Sequence, residues 1–178
     1  IIFACARRKV TGWKIPAMTR TSVRVEPATI ASKDLLAALH GEIFTSEEQV
    51  WNAGSFANLM AMPGMLAWLA VDIQADEDLP VGLALTRFSG DEGEIMTIGV
   101  VPTARRGGVA AGLLGEITDH ADRSDAGLFL EVAAENDPAI QLYLAHDFTE
   151  VGRRKNYYKR RNGDRVDALV LKRNPSGS

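Results

Sequence analysis

Residues 98–114 have the sequence IGVVPTARRGGVAAGLL, and this stretch decides the fold class. It starts as an apolar strand, is stopped by Pro102, and continues into an apolar stripe at helical spacing. The stripe consists of Val109, Leu113, Leu114 and Ile117. Arg105-Arg106-Gly107-Gly108 lies between strand and helix, where thinly covered amides at a helix N-terminus can bind a phosphate group. Glycine pairs before helices are also often simple turns, so the loop alone leaves both interpretations open.

The loop matches neither of the two familiar nucleotide-binding patterns. It contains no Gly-x-x-x-x-Gly-Lys-Ser/Thr and no Gly-x-Gly-x-x-Gly. The sequence therefore disfavours an ordinary kinase or dehydrogenase.

Patterns on either side of this stretch predict the order strand, two helices, three strands, helix, strand, helix, two strands. The predicted strands lie at 22–25, 66–71, 81–88, 94–101 and 128–132, with a final hairpin that turns at Asn162-Gly163. The first predicted helix follows Ser32, and its apolar stripe consists of Leu35, Leu36, Leu39 and Ile43. The second predicted helix starts at a capping box at 46–49 and ends before Pro63. The fourth predicted helix is capped by Asp137 and Pro138. This order indicates a mixed α/β domain with a parallel strand pair in its second half.

Composition excludes several classes of protein. The chain has 178 residues, of which 46% are apolar and 24% charged, so it can form one globular domain with a sizeable core. No apolar run approaches the roughly 18 residues of a membrane-spanning helix. The single cysteine, Cys5, excludes an internal disulfide and a Cys-rich metal site. We therefore expect a soluble, cytoplasmic protein that does not bind membranes.

The net charge of −3 conceals three unlike segments. Residues 1–25 carry six basic groups and no acid, and residues 153–173 carry nine basic groups against two acids. Residues 26–152 hold five basic and 21 acidic groups, a balance of −16. An acidic centre attracts cationic partners, although it also serves solubility.

The first segment differs from the rest of the chain. Residues 1–17 precede Met18, and their apolar residues come before the charges, which is the wrong order for a secretion signal. We expect residues 1–17 to be an N-terminal extension outside the fold. Residues 18–178 then form a single domain.

Two ordered motifs resemble those of the GCN5-related N-acetyltransferases, the GNAT superfamily. Residues 98–114 are similar to its acetyl-CoA signature, whose core is Arg/Gln-x-x-Gly-x-Gly/Ala. Residues 130–143, LEVAAENDPAIQLY, are similar to a later motif in which Asn and Tyr flank a short helix. The segment RRKNYY at 153–158, with the contexts of Glu131 and Trp51, resembles the RimI-type branch, which acetylates the N-terminal alanine of a small-subunit ribosomal protein. The resemblance covers roughly residues 22–173.

The resemblance implies the GNAT fold, a mixed central sheet of about six to seven strands flanked by about four helices. Its central strands splay apart and bind acetyl-CoA. The pyrophosphate of the cofactor would bind the loop amides of Arg105, Arg106, Gly107, Gly108, Val109 and Ala110. The pantetheine arm would pair like an extra strand with the backbone of Ile98, Gly99 and Val100, and would contact Asn136. Asp147 stands where the family generally has a left-handed glycine, a conformation that aspartate tolerates better than most residues.

The resemblance also implies catalytic roles. Glu131 matches the branch's general base and Tyr143 its general acid, which would protonate the departing thiolate. Transfer is then direct, in a ternary complex, with no metal. Apart from the motif, Glu131 could merely end a strand in water and Tyr143 could be a core residue. Trp51 and Tyr157 are expected to bind the substrate peptide, although aromatic core packing explains them nearly as well.

Three functions remain to be separated. The leading one is acetylation of a protein N-terminus, most consistent with the alanine of a ribosomal protein, by a monomer or weak dimer. A second keeps the chemistry but acts on a small amine or a lysine side chain. A third is a non-catalytic module that senses acyl-CoA or docks its basic tail on RNA, although the sequence as a whole disfavours a nucleic-acid partner.

Overall fold

The computed structural model describes residues 23–44, 50–73, 78–160 and 163–177. Within these ranges, seven strands form one mixed sheet in the order β1-β2-β3-β4-β5-β7-β6. The strands are β1 (Val23–Ala28), β2 (Met65–Asp72), β3 (Leu79–Ser89), β4 (Glu92–Val100), β5 (Gly127–Ala133), β6 (Thr149–Lys159) and β7 (Arg165–Arg173). The helices are α1 (Lys33–Ile43), α2 (Ala53–Met60), α3 (Val109–Arg123) and α4 (Asp137–Leu144). The predicted order and layers are confirmed; the boundary predicted at residue 18 lies outside the described residues.

The helices pack where the apolar periodicity predicts. The stripe of α3 is almost completely buried, with Val109 at 1% and Leu113 at 0% exposure. Helix α1 buries Leu36, Leu39 and Ile43 but leaves Leu35 at the surface, so its buried stripe is narrower than predicted. No helix in the described ranges is both long enough and apolar enough to cross a bilayer.

Two glycines place α1 and α3 on opposite faces of the sheet. A Cβ atom on Gly82 would lie 3.1 Å from Val109 of α3, whereas a Cβ atom on Gly99 would lie 2.6 Å from Ile43 of α1. Leu83 pairs with Gly99, so Gly82 and Gly99 occupy alternate positions that face opposite sides. The close approach of α1 therefore depends on Gly99 having no side chain.

Two helix starts differ from their prediction. Helix α2 begins at Ala53, later than the capping box at 46–49, which lies outside the described residues; the Asn52 side chain accepts a hydrogen bond from the Ser55 amide at 2.9 Å. Helix α4 is capped by Asn136 and not by Asp137, because the Asn136 side chain accepts from the Ala139 amide at 3.3 Å. Asparagine is as good an N-cap as aspartate, and the sequence alone did not separate the two neighbours.

The turn after α4 confirms the conformation predicted for Asp147. Its φ of 65° is left-handed, and the Phe148 amide returns to the Tyr143 carbonyl at 3.1 Å. This brings the Phe148 ring to 5.7 Å from the Tyr143 ring, edge to face. The turn therefore fixes the end of α4 that carries Tyr143.

The sheet is divided at its centre. Strands β4 and β5 run parallel but pair only at Glu92–Gly127, Gly93–Leu128 and Glu94–Phe129. Beyond Glu94, Met96 of β4 has no paired residue on β3. This irregularity is a β-bulge, a feature that bends strands and is common beside functional sites. We call β1 to β4 the first half-sheet, β5 to β7 the second, and the three pairs the joint. The predicted splaying of the central strands is confirmed.

An ion pair joins the end of β7 to α3. Arg173 donates two hydrogen bonds to Asp122, at 2.7 and 2.8 Å, and Ser176 donates to the same carboxylate. These bonds, Arg173 foremost, hold the pKa of Asp122 well below its ordinary value. The carboxylate therefore stabilises the fold above its unfolded pKa of about 3.9, and this contribution disappears as the pH falls through the lowered folded value.

We expect Asp122→Asn to lower the free energy of unfolding by about 1–2 kcal/mol at neutral pH, because a charge-assisted hydrogen bond is lost at a partly exposed site. Urea unfolding of the variant and of the unchanged protein should converge as the pH is lowered below about 4. Glu116→Gln, at an exposed position on the same helix, is the control and should have nearly the same free energy of unfolding as the unchanged protein. Equal loss of stability in both variants at neutral pH would contradict the assignment.

Candidate active site

A groove of about 460 Å³ opens at the joint between the two half-sheets. It is lined by Arg87 and Ser89 of β3, residues 92–94 of β4, residues 129–131 of β5, Arg154 of β6 and Val170 of β7. The side chains of Arg87, Glu94, Phe129, Glu131 and Val170 share one face, because the pairs Arg87–Glu94, Glu94–Phe129 and Glu131–Val170 are in register and Phe129 and Glu131 are two residues apart. Helix α1 covers the same face farther along β4, at Gly99. The groove is therefore the part of this face that α1 leaves open.

Three side chains form a polar cluster in and beside the groove. Nε of Arg154 lies 3.0 Å from a carboxylate oxygen of Glu131, and its guanidinium stands 5.2 Å from the centre of the Tyr157 ring. Partial burial, a hydrogen bond to Glu131 and the charge of that carboxylate raise the pKa of Tyr157. We call these residues the Glu131 cluster. Glu131 and Tyr157 were predicted as site residues; Arg154 was not, although it belongs to the RRKNYY motif.

Two other predicted residues are buried behind the end of β5. Tyr143 is fully buried and Asn136 is 2% exposed. Among the described residues, neither the Tyr143 hydroxyl nor the Asn136 side-chain nitrogen has a hydrogen-bond partner. Burial raises the pKa of Tyr143, so the phenol keeps its proton at neutral pH. Buried polar groups are nearly always paired, so these two atoms are candidates for contact with a ligand or an ordered water.

The glycine loop presents its backbone at the start of α3. Gly108 is the N-cap with a φ of 86°, and Arg106 has a φ of 69°, so the chain turns through two left-handed residues. The first amides of a helix have no partner within it and carry its positive dipole end. Arg105 braces the loop from inside, donating to the carbonyls of Val100 at 3.1 Å and Ile43 at 3.4 Å. Of the two predicted arginines, only Arg106 is exposed.

Trp51 lies in a different environment from Tyr157. Its ring stacks on His40 at 5.0 Å and meets Phe56 edge to face, and its amide donates to Nδ1 of His40 at 3.3 Å. Burial lowers the pKa of His40 to about 4, so this histidine is neutral and acts as an acceptor. Trp51 therefore packs between α1 and α2, and its contact with a substrate stays a prediction.

Comparison with known proteins identifies the family. The sequence profile described as the Acetyltransferase (GNAT) family matches residues 36–148. The chain belongs to this family. The resemblance found in the two motifs is thereby confirmed, and the glycine loop lies within the matched segment of this GNAT chain.

Curated relatives of this GNAT chain carry acetyltransferase names. The [Ribosomal protein bS18]-alanine N-acetyltransferase of Escherichia coli is 38% identical over 89 residues, which is 49% of this chain and 60% of that protein. The match thus spans less than two thirds of the length of the E. coli relative. The N-alpha-acetyltransferase RimI of Mycobacterium tuberculosis is 32% identical over 143 residues, covering 75% of this chain and 86% of that protein.

Solved structures share the GNAT fold. The crystal structure of the ribosomal-protein-S18-alanine N-acetyltransferase from E. coli has a TM-score of 0.77 at 24% identity, covering 88% of this chain and 96% of that one. Arabidopsis thaliana NAA60, in complex with a bisubstrate analogue, has a TM-score of 0.73 at 24% identity, covering 88% of this chain and 100% of that one. These likenesses confirm the predicted GNAT architecture.

Proposed function

We propose that this chain transfers the acetyl group of acetyl-CoA to the α-amino group of a protein N-terminus. The observation that carries the proposal is the Glu131 cluster, which sets a carboxylate in an open groove where the central strands separate, with a tyrosine beside it. The names of the E. coli and M. tuberculosis relatives support this acceptor class, and the former favours an N-terminal alanine of a ribosomal protein.

The residues around the place where β4 and β5 separate fit acetyl-CoA. The unpaired Asn136 side-chain nitrogen and Tyr143 hydroxyl are buried polar atoms suited to the polar groups of a ligand. The backbone of Ile98 to Val100 lies beyond the joint, where β4 has no register with β5 in the described residues and can pair with the cofactor arm. The loop from Arg105 to Ala110 offers helix N-terminal amides for the pyrophosphate. When bound, acetyl-CoA supplies an activated acetyl thioester.

Two residues of this chain move protons in the proposed reaction. An N-terminal amine has a pKa of about 7.7–8 and is mostly protonated at neutral pH, so Glu131 takes its proton directly or through water. The amine nitrogen then bonds to the acetyl carbon as the carbon–sulfur bond breaks. Tyr143 gives its proton to the departing sulfur, and the second proton that the nitrogen loses as the amide forms restores the Tyr143 phenol. Both substrates are bound together, so no acyl group is attached to the protein.

The basic tail supports an acetyltransferase over an RNA-binding module. Four of its nine cations form ion pairs with acids in the described part of the chain: Arg153 with Glu150 and Asp167, Arg154 with Glu131, Arg160 with Glu135, and Arg173 with Asp122. Cations already held by carboxylates release fewer counterions to a phosphate backbone. Internal ion pairs therefore account for four of the nine cations in the charge pattern that suggested RNA.

The proposal is tested with matched acceptors and detection of the added acetyl mass by mass spectrometry. One peptide has a free N-terminal alanine, its twin has a blocked N-terminus and a free lysine, and the third acceptor is a set of small amines. We expect acetylation of the free N-terminus only. Faster transfer to small amines or to the lysine of the blocked peptide would replace the proposed acceptor with that class.

A further inference from the structure

Strand β6 departs from regular pairing beside the groove. Its register against β7 passes from the pair Arg154–Ala168 to the pair Tyr158–Val166, so residues 155–157 face Asp167 alone. Three residues opposite one make a bulge larger than the common two-against-one kind, and it redirects the side chains it carries. Tyr157, a member of the Glu131 cluster, is the last residue of this bulge.

Two side chains of β7 hold the bulge from across the ladder. The Asn156 amide donates to a carboxylate oxygen of Asp167 at 2.9 Å, and Arg165 donates to the Asn156 carbonyl at 2.8 Å. Asn156 itself is left-handed, with a φ of 54°. Asparagine adopts this conformation more readily than most residues, and the two hydrogen bonds hold the backbone in it.

Asp167 also contacts the turn that leads from β5 to α4. Its main-chain carbonyl accepts a hydrogen bond at 2.9 Å from the Ala134 amide, in the turn between β5 and the Asn136 cap of α4. The hydrogen bond from Asn156, foremost, lowers the pKa of the Asp167 carboxyl, so it is ionised at neutral pH. One residue thus joins the bulge that carries Tyr157 to the turn that leads to Tyr143.

We propose that Asp167 is a positioning residue, whose carboxylate fixes the β6 bulge and thereby holds Tyr157 against Glu131 at the entrance for the acceptor. Its effect on turnover rests on the proposed function, whereas its effect on Tyr157 does not. Asp167 contacts the bulge at Asn156, whereas Tyr157 of the same bulge lies against Arg154, which lines the groove. Asp167 therefore acts through Tyr157, and its loss changes how the acceptor binds more than the chemical step.

The first test follows the ionisation of Tyr157 by phenolate absorbance. The chain has three tyrosines, and Tyr157, at 42% exposure, is the accessible one, since Tyr143 and Tyr158 are buried. In Asp167→Ala the bulge relaxes, Tyr157 leaves Glu131, and its transition shifts to lower pH. Asp167→Asn keeps an oxygen that accepts from the Asn156 amide and should titrate like the unchanged protein. Tyr157→Phe, which removes the transition, identifies it.

The second test measures acetyl transfer to the alanine peptide. We expect kcat/KM of Asp167→Ala to fall about 10- to 100-fold, mainly through a higher KM for the peptide, as misplacement of a positioning group does. Asp167→Asn should recover most of this loss. Glu150→Ala, which removes the other carboxylate that pairs with Arg153, is the matched control and should change neither readout. If Asp167→Ala does not fold, Arg165→Ala removes the second anchor of the same bulge.

The outcomes separate this inference from the proposed function. An unmoved Tyr157 transition in folded Asp167→Ala overturns the positioning role, whatever the acceptor is. A shifted transition with unchanged KM and kcat overturns the link between the bulge and acceptor binding. If the unchanged protein acetylates no N-terminal peptide, the proposed function fails, while the titration still decides what Asp167 holds.

Discussion

Glu131→Gln is expected to lower kcat for peptide acetylation about 10²- to 10⁴-fold at neutral pH, the contribution usual for a general base. Glutamine has the same size and can still accept a hydrogen bond from Arg154, but it cannot take the proton of the arriving amine. Affinity for acetyl-CoA should stay the same, because the carboxylate faces the groove and not the glycine loop. Steady-state kinetics with a titration of acetyl-CoA measure both quantities.

The pH dependence of this variant distinguishes a proton acceptor from a residue that only shapes the groove. Above the amine pKa of about 7.7–8 the acceptor is already neutral, so the variant should regain part of its rate relative to the unchanged enzyme. Glu135→Gln is the matched control, because Glu135 follows the same strand and pairs with Arg160 outside the groove lining. A loss that is constant across pH would assign Glu131 to binding and not to proton transfer.

Tyr143→Phe is expected to reduce kcat by a similar factor of about 10²–10⁴ while leaving the protein as stable or more stable. The lower kcat and the unchanged or higher stability have one cause. The hydroxyl is buried without a partner among the described residues, so deleting it removes an unsatisfied polar group and leaves the packing against Phe148 in place. Thermal unfolding and turnover measured on the same preparation test this pair of effects.

An acetyl donor with a more acidic thiol provides the discriminating measurement for Tyr143. Such a thiol departs without needing a proton, so the variant should recover much of its activity with it, and the unchanged enzyme should gain little. Equal losses with both donors would show that Tyr143 supports the site only by packing. A large fall in the melting temperature of Tyr143→Phe would contradict the argument from its unpaired hydroxyl.

The parts of the fold that could be predicted depend on local periodicity. The stripe from Val109 to Ile117 repeats at helical spacing, and burial of that stripe determines where α3 lies, so neighbouring residues carry the information. Helix caps were less predictable because Asn136 and Asp137 are adjacent and both can cap. The left-handed turn at Asp147 was predicted because its position in the motif requires that conformation.

The parts of the site that could not be predicted depend on contacts between distant segments. The Arg105 side chain donates to the carbonyl of Ile43, which belongs to another helix, and no local pattern in the sequence indicates this contact. Arg154 reaches Glu131 because β6 and β7 lie beside β5 in the sheet, and this arrangement is not visible in the local sequence. The bulge at residues 155–157 has no periodic signal, because it is set by Asp167 on the neighbouring strand.

Both half-sheets contribute residues to the proposed site. The first half-sheet contributes the free edge of β4 and leads directly into the glycine loop, whereas Glu131 and the hairpin with Arg154 and Tyr157 belong to the second. Only three residue pairs connect the two in the sheet. Under the proposed function the donor and the acceptor both lie across the joint, because Asn136 and Tyr143 follow β5 while Glu94 of β4 lines the groove. A substitution at any of the three pairs would therefore alter the binding of both substrates together.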